Sequence, residues 1–463
     1  MDQGVNPPPV VPPVIIPLDQ PPEPLELLER FLHLPCPALL DGAADHRDLG
    51  RYSYLSADPV ALVQRSATEW PAISDRLRGT ISAAAPLDPA LPPFQGGWIG
   101  WFGYELGAAF DRMPRAAHDP LALPEVSLAL YDWVIAWDHA VGRAWLISSG
   151  IDSSGVASGD RAQARAANVM ARIAVAPPFG STHSLAPAAV TADFTPDAYR
   201  AAVAAVVEHV LAGDIFQANL AQRFTAPFAG DPLVLYRRIR ARSAAPLAAY
   251  LDHGQVQLLS ASPERFLTLD AASGAVETRP IKGTRPRSTD PFHDAALATE
   301  LVASEKDRAE NVMIVDLLRN DLARVCAPGS IEVPSLCALE SHPTVHHLVS
   351  TVTGTLRSGR DALDLLAATF PGGSVTGAPK LRAMAIIAEL EPVTRGAYCG
   401  AIGWLGRDGS MGLSIAIRTI TLARGIASLH AGGGITALSE PEAEYQETLD
   451  KARALIAALE EAP

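Results

Sequence analysis

The sequence is short of the residues that announce several common chemistries. Its four cysteines, Cys36, Cys326, Cys337 and Cys399, stand far apart with no C-x-x-C pair, which argues against a zinc site or a disulfide framework and fits a reducing, cytoplasmic compartment. Basic charge is scarce as well. Against 51 Asp and Glu there are 37 Lys and Arg, a formal charge of −14, so neither nucleic acid nor an anionic membrane is an expected partner. Any anionic substrate must then be met by positive charge gathered locally. Met1-Asp2-Gln3 is not followed by a basic segment and an apolar stretch, and the apolar run from Val126 to Trp137 is broken by Asp132, so neither secretion nor a membrane span is expected. There is no internal repeat. Nor is there a P-loop: Gly372 and Gly377 have the G-x-x-x-x-G spacing, but Ala378 follows where Lys and Ser/Thr are required.

What is present is a chain of 463 residues, 48% hydrophobic, able to bury a large core. Residues 1–24 hold nine prolines from Pro7 to Pro24, a density that predicts an extended or disordered tail. Residues 25–190 form an N-terminal region of short aromatic-rich strands, such as Arg51 to Leu55 and Gly96 to Tyr104, ending in a Ser/Ala/Gly/Pro-rich connection with a helix near 160–174. A second region, 191–463, starts with a helix opened by Thr195 and Pro196, its apolar face being Tyr199, Val203, Val206 and Val210, and stopped by Gly213. Strands are expected near 215–224 and 256–269, and a helix over Glu305 to Leu322. Met411 to Leu422 reads as one alternating strand that puts Ser414, Ala416 and Arg418 on one face. Ser439 and Glu442 have capping-box spacing at the start of a last helix.

The segment Glu277-Thr278-Arg279-Pro280-Ile281-Lys282-Gly283-Thr284-Arg285-Pro286 sets one lysine in a short turn among arginines. A lysine amine attacks only when neutral, and at the reference pKa fewer than ~0.1% are neutral at pH 7. Arg279, Arg285 and Arg287 disfavour a further positive charge, a setting suited to a nucleophilic amine; the plain alternative is a solvated basic turn. Asp307 and Glu310 lie three apart on one helix, and Glu444 and Glu447 three apart on another. Two such faces converging suit Mg²⁺, which prefers carboxylate oxygens; two solvated faces are the alternative. Glu264, in the turn Ser262-Pro263-Glu264, suits a general acid, or else a salt bridge. The loop Phe370 to Lys380 and the run Gly432-Gly433-Gly434 can each present backbone amides to an anion, the latter also reading as a tight bend. His346 and His347 precede an apolar run, where a core histidine is the default.

Taken in order, Gly213-Asp214-Ile215-Phe216-Gln217-Ala218-Asn219-Leu220, the Ser-Pro-Glu turn, Pro280-Ile281-Lys282-Gly283-Thr284, Glu305 to Asn311, His347 to Ser350 and the glycine motifs closely resemble the chorismate-utilising enzymes, over about Arg51 to Ala457. The resemblance implies an α+β protein with the anthranilate synthase component I-like fold, antiparallel sheets packed with helices in two intertwined subdomains. It implies that Glu310 and Glu447 bind Mg²⁺, supported by Asp307 and Glu444; that Glu264 protonates the departing 4-hydroxyl of chorismate; and that Arg418, Tyr398 and the amides of Gly432, Gly433 and Gly434 meet substrate carboxylates. Ser374 and His347 match residues that line the ring, and His347 joins Lys282 and Glu264 in the implied catalytic set.

Two positions discriminate within the family. Isochorismate-forming members carry a water-activating lysine where this chain has Gln217. Anthranilate synthases resemble Pro-Ile-Ala-Gly-Thr at the turn and aminodeoxychorismate synthases Pro-Ile-Lys-Gly-Thr, as at Lys282. The resemblance therefore points to the component I branch that aminates chorismate at C4 for 4-aminobenzoate and folate synthesis. Anthranilate synthase component I, or a non-catalytic chorismate-binding subunit, are the alternatives. None of the four cysteines lies in a G-x-C-x-G elbow, so ammonia is expected from a separate glutamine amidotransferase subunit. The last family helix is followed by few residues, and pyruvate elimination is expected of a separate aminodeoxychorismate lyase. Where some relatives carry a tryptophan-binding Leu-Leu-Glu-Ser, this chain reads Leu39-Leu40-Asp41-Gly42, and feedback inhibition is not expected.

Overall fold

The computed structural model describes residues 11–43, 49–81, 87–175, 186–342 and 345–461. Two large sheets, of twelve and ten strands among the described residues, dominate it, and every strand pairing within them is antiparallel. The first runs from the edge strand Val14–Leu18 through Arg143–Ser148, Trp133–Asp138, Tyr52–Ser56 and Ala38–Asp41 into Leu247–Asp252, Val256–Ser262, Thr419–Ala423, Ile426–Ile435 and Gln217–Pro227. The second joins Ile281–Pro286, Val345–Thr355, Ala275–Thr278, Arg265–Asp270, Met411–Ile415 and Ala401–Gly406 to Gly97–Phe102, Val126–Tyr131 and Ala61–Arg65. Both sheets therefore contain strands from before and after residue 190. The division expected there is a connection in the chain, and the two halves share both sheets.

Three expectations need correction. Residues 14–18 are not part of a disordered tail: Val14 pairs with Ser148 and Leu18 with Ala144, and Val14, Ile16 and Leu18 pack on the core. Pro17 is tolerated because the strand lies at a sheet edge; residues 1–10 lie outside the described residues. Met411 to Leu422 is two strands in different sheets, broken at Arg418, whose φ of 49° is left-handed. Alternation survives a break of this kind, so periodicity alone does not reveal it. Ser439 makes no capping box: the last helix, Pro441–Glu460, is preceded by Glu440, the Ser439 hydroxyl donates to Glu444 Oε1 at 2.6 Å, and Glu442 pairs with Arg200.

Other elements follow their local signals. Thr195 caps Pro196–Leu211 by accepting from the Ala198 amide, and Ser304 caps Glu305–Ala323 through the Asp307 amide. The helix expected near 160–174 is Gly159–Ala174, capped by Ser158. The chain passes between sheets at Asp132, at Pro263–Glu264 and at Ala416–Arg418. The last two crossings are locked together, Ala261 N donating to Arg418 O and Ile415 N to Glu264 O, each at 3.0 Å. Glu264 and Arg418 thus sit where the two sheets part. No helix among the described residues is long and apolar enough to cross a membrane.

Candidate active site

The site opens at the seam between the sheets. Lys282 is carried by the Ile281–Pro286 strand, beside the His347 strand, with Thr284 directly opposite His347. The Thr284 hydroxyl and His347 Nδ1 share a hydrogen bond of 2.8 Å. His347 is buried, and burial, helped by Arg418 and the neighbouring histidines, pushes its pKa down to about 3. It is a neutral imidazole at working pH.

Gln217 begins the Gln217–Pro227 strand, which pairs with the glycine run: Asn219 lies opposite Gly434, Leu220 opposite Gly433 and Ala221 opposite Gly432. The three glycines are therefore strand residues rather than a tight bend. Opposite Gly434 and Gly432, the Asn219 and Ala221 amides turn away from the glycine strand, to Thr376 O and Glu391, so these are non-hydrogen-bonded pairs whose glycine amides also face away. A further contribution is the missing side chain. A Cβ on Gly434 would lie 2.1 Å from Gln217 Nε2 and 3.3 Å from Lys282 Nζ, so the lysine and the glutamine converge over one bare backbone position. On Gly433 it would lie 3.0 Å from Glu444 Oε2 and 3.3 Å from Glu447 Oε1, and on Gly432 it would strike Ala221.

Several polar groups here have no partner among the described residues. Both polar atoms of the Gln217 side chain are buried and unbonded, as is Asn219 Nδ2, two residues along the same strand face. The Arg418 guanidinium, largely desolvated and pushed to a lowered pKa by that burial, makes no ion pair or hydrogen bond within the described residues. Buried polar groups are ordinarily satisfied, so these unbonded groups are candidates to meet a ligand's polar atoms. Tyr398 stacks on His430 with centroids 5.0 Å apart and planes 8° from parallel, and His430 shares a strand face with Gly432 and Gly434.

Glu264 is 5% exposed, and burial raises its pKa. The Ser374 hydroxyl, Lys282, the Ile281 amide and Lys451 act the other way without cancelling the rise. A buried carboxyl whose pKa is raised, near a lysine, is equipped to donate a proton. Ser374 sits in the short 3₁₀ turn Gly373–Val375. Two of the loop's amides close on the loop itself, Val375 N to Gly372 O and Thr376 N to Gly373 O. Its glycines allow close packing, Gly372 on Ile415 and Gly373 on Leu317.

The arginines around Lys282 do not act as free cations. Arg279 pairs with Glu340, Arg285 with Glu300 at 2.8 Å and Asp307 at 3.3 Å, and Arg287 with Asp294 at 2.8 Å. The charges that bear on Lys282 are instead those of Glu264, Glu310 and Glu447. The turn's sequence displays the cations, whereas their anions come from segments distant in the chain.

The four acids expected to hold a metal come from two helices, Glu305–Ala323 and Pro441–Glu460. Burial raises the Glu310 pKa, Lys282 and Lys306 moderate the rise, and the Asp307 and Glu444 charges add to it. Among the described residues no three His, Cys, Asp or Glu side chains form a ready metal cage. Asp307 is held by Arg285, Glu444 by Ser439 and by Lys306 at 3.4 Å, and Glu447 by Lys451 at 2.6 Å. Mg²⁺ usually takes one or two carboxylates, keeping waters and accepting substrate oxygens. Glu310, which makes no ion pair among the described residues, and Glu447, whose pair with Lys451 is half-exposed, fit a part-site of that kind; Asp307 and Glu444 sit in more buried ion pairs.

Behind the site lies a buried hub that the sequence analysis missed. Arg395 donates to Glu391 at 2.6 and 2.9 Å, to Val375 O at 3.0 Å and to Asn219 O at 2.6 Å, and lies over the Tyr104 and Tyr398 rings. Glu391 also accepts from the Ala221 amide, and Glu105, whose pKa burial raises to about 7, from the Arg395 and Gly396 amides. Glu391 and Arg395 stand at i, i+4, a spacing so common on exposed helices that it does not mark a buried hub; Asn219, two residues after Gln217, was open to inference from strand periodicity. A separate cavity of about 170 Å³ is lined by Leu40, Tyr54, Ile402, Trp404 and Leu413 and includes none of the acid, lysine or glutamine above. It is mainly apolar and is not where the chemistry lies.

Comparison with known proteins agrees with this geometry. The chain is 42% identical over 445 residues to aminodeoxychorismate synthase component 1 of Salmonella typhimurium, covering 92% of this chain and 94% of that protein. It is also 42% identical over 435 residues to anthranilate synthase component 1 of Streptomyces coelicolor, covering 92% and 84%. The crystal structure of anthranilate synthase component I from Streptococcus pneumoniae superposes with a TM-score of 0.79 at 31% identity, covering 88% of this chain and 92% of that one. A family model, described as chorismate binding enzyme, matches residues 38–457. With a match of that extent over both sheets and the seam between them, the chain belongs to the chorismate binding enzyme family.

Proposed function

We propose that this chain is a component I enzyme that aminates chorismate at C4, giving 4-amino-4-deoxychorismate, with ammonia delivered by a separate glutamine amidotransferase in the cytoplasm. One observation carries the reading: Lys282 Nζ and the Gln217 amide flank the same bare position at Gly434. An uncharged amide cannot take a proton from water, so the nucleophile available there is the lysine amine. In its neutral form Lys282 attacks C2; the ring double bond shifts as the C4–O bond breaks, and Glu264 protonates the departing hydroxyl, which leaves as water. Ammonia then bonds to C4, the double bond shifts back, and the C2–N bond breaks to return the lysine. Chorismate and ammonia thus become the amino product and water, the enolpyruvyl group staying in place. Pyruvate loss is left to a separate lyase.

Arg418 and the unpaired Asn219 and Gln217 amides suit the oxygen atoms of a chorismate dianion, and Arg418 suits a carboxylate bidentately. Neutral His347 and Tyr398 flank the ring without adding charge. Mg²⁺ held by Glu310 and Glu447 would supply positive charge to a substrate carboxylate. A second reading, amination at C2 with loss of pyruvate, is favoured by the equal 42% identity to an anthranilate synthase component 1. Product identification by mass-resolved chromatography, with chorismate, Mg²⁺ and an ammonium salt at mildly alkaline pH, separates the two. An amino-chorismate formed by the wild type and lost in Lys282→Ala supports the lysine-nucleophile reading; anthranilate and pyruvate overturn it.

A further inference from the structure

Lys380 closes the glycine-rich loop and has no part in the chemistry above, yet its ammonium is fully engaged. Nζ donates to Asp321 Oδ2 at 2.6 Å, to Thr369 O at 3.0 Å and to Pro371 O at 3.0 Å, three acceptors for three donors. Asp321 belongs to the Glu305–Ala323 helix and its side chain is 5% exposed; Lys380 is 13% exposed. Thr369 is the last residue of the Ala362–Thr369 helix, where the carbonyls carry the negative end of the helix dipole and favour a cation. A single charge therefore ties two helices and the start of the loop to one point. Beyond that point the loop leans on Leu317 through Gly373 and carries Ser374, whose hydroxyl acts on the Glu264 carboxyl.

We propose that Lys380 is a positioning residue: its clamp on Asp321, Thr369 and Pro371 sets the 370–376 loop so that the Ser374 hydroxyl reaches the proton-donating Glu264. The inference rests on the assignment of Glu264 as the acid. A surface lysine has no need of three ordered acceptors, one of them a helix-end carbonyl and another a carbonyl in the loop it orders. The Arg395 contact to Val375 O holds the far side of the same loop, so Ser374 is fixed from both ends.

Removing the ammonium alone strands the Asp321 carboxylate, so Lys380→Met is paired with the double variant Lys380→Met/Asp321→Leu, in which neither charge remains. Each is made with Ser374 intact and with Ser374→Ala, and kcat, KM and the melting temperature are measured alongside Glu264→Gln. The expected result is a loss in kcat on the order of tenfold with Ser374 present and no further loss once Ser374 is alanine, since the clamp acts through that hydroxyl. Losses that simply add, or a kcat unchanged in the charge-free variant, overturn the clamp alone. Full turnover in both Ser374→Ala and Glu264→Gln overturns the acid assignment, and the clamp with it.

Discussion

Asp132 and Glu264 hold corresponding places in the fold: each is a buried acid, 4% and 5% exposed, at a point where the chain leaves one sheet for the other. Burial raises the pKa of both. Their partners differ. Asp132 accepts from Arg165 at 3.0 Å, and that arginine also reaches Asp58 at 2.6 Å, whereas Glu264 has a hydroxyl, a backbone amide and two lysines acting at range. The same crossing is a structural joint where the charge is matched locally and, in the proposed mechanism, a reactive group where it is not. Burial alone does not distinguish the two; the identity of the nearest cation does.

The largest effect expected from breaking this comparison is on Glu264. Glu264→Gln should lower kcat by about 10² to 10⁴, the range of general acid catalysis, with little change in melting temperature. Arg165→Met should do the reverse, leaving Asp132 unpaired at a cost of about 3–5 kcal/mol in denaturant unfolding while the per-molecule turnover of folded protein holds. A large loss of turnover in Arg165→Met would erase the distinction between the two crossings. Gly434→Ala comes next. Its backbone is not in the left-handed region, so the chain should fold, but the new Cβ collides with Gln217 and crowds Lys282, and steady-state kinetics should show a loss on the order of 10²-fold. Arg418→Met should raise the chorismate dissociation constant by about 10- to 100-fold in calorimetry, the worth of a charge-assisted pair. Ser374→Ala has the smallest effect in rate and the sharpest in pH. The acid works while protonated, so activity is lost as pH rises through the raised Glu264 pKa. The Ser374 bond holds that pKa down, and its removal should move the alkaline limb of the kcat profile to higher pH. A limb that moves to lower pH, or stays, would separate Glu264 from the acid step.

How much of this the sequence discloses depends on how far apart the determinants lie. Helices whose signals are local, such as the one capped by Thr195 or the one carrying Glu310, are legible to within a residue or two. Short motifs also single out Lys282, Gln217 and Glu264, which the fold brings near one another. What failed were inferences about neighbours in space. The arginines flanking Lys282 are matched by Glu340, Glu300, Asp307 and Asp294, none of which is within the turn. The proline-rich start conceals a strand because its partner, Arg143–Ser148, is more than a hundred residues away. Alternation from Met411 to Leu422 hides the change of sheet at Arg418, and the glycine run gives no sign of which side chains will fill its bare faces.

The sharing of both sheets between the two halves also governs how the chain can be made. The Ala38–Asp41 strand waits for Leu247–Asp252, and Gly97–Phe102 waits for Ala401–Gly406. While these later segments are still inside the ribosome, the emerging N-terminal half carries two short, largely apolar, unpaired sheet edges, the kind of surface that pairs with other nascent chains. Closing them needs contacts separated by some two to three hundred residues, which makes folding slow and dependent on completed synthesis. A truncated transcript should thus yield aggregate rather than a usable half, and the demand on chaperones should fall on the interval between the two ends of translation.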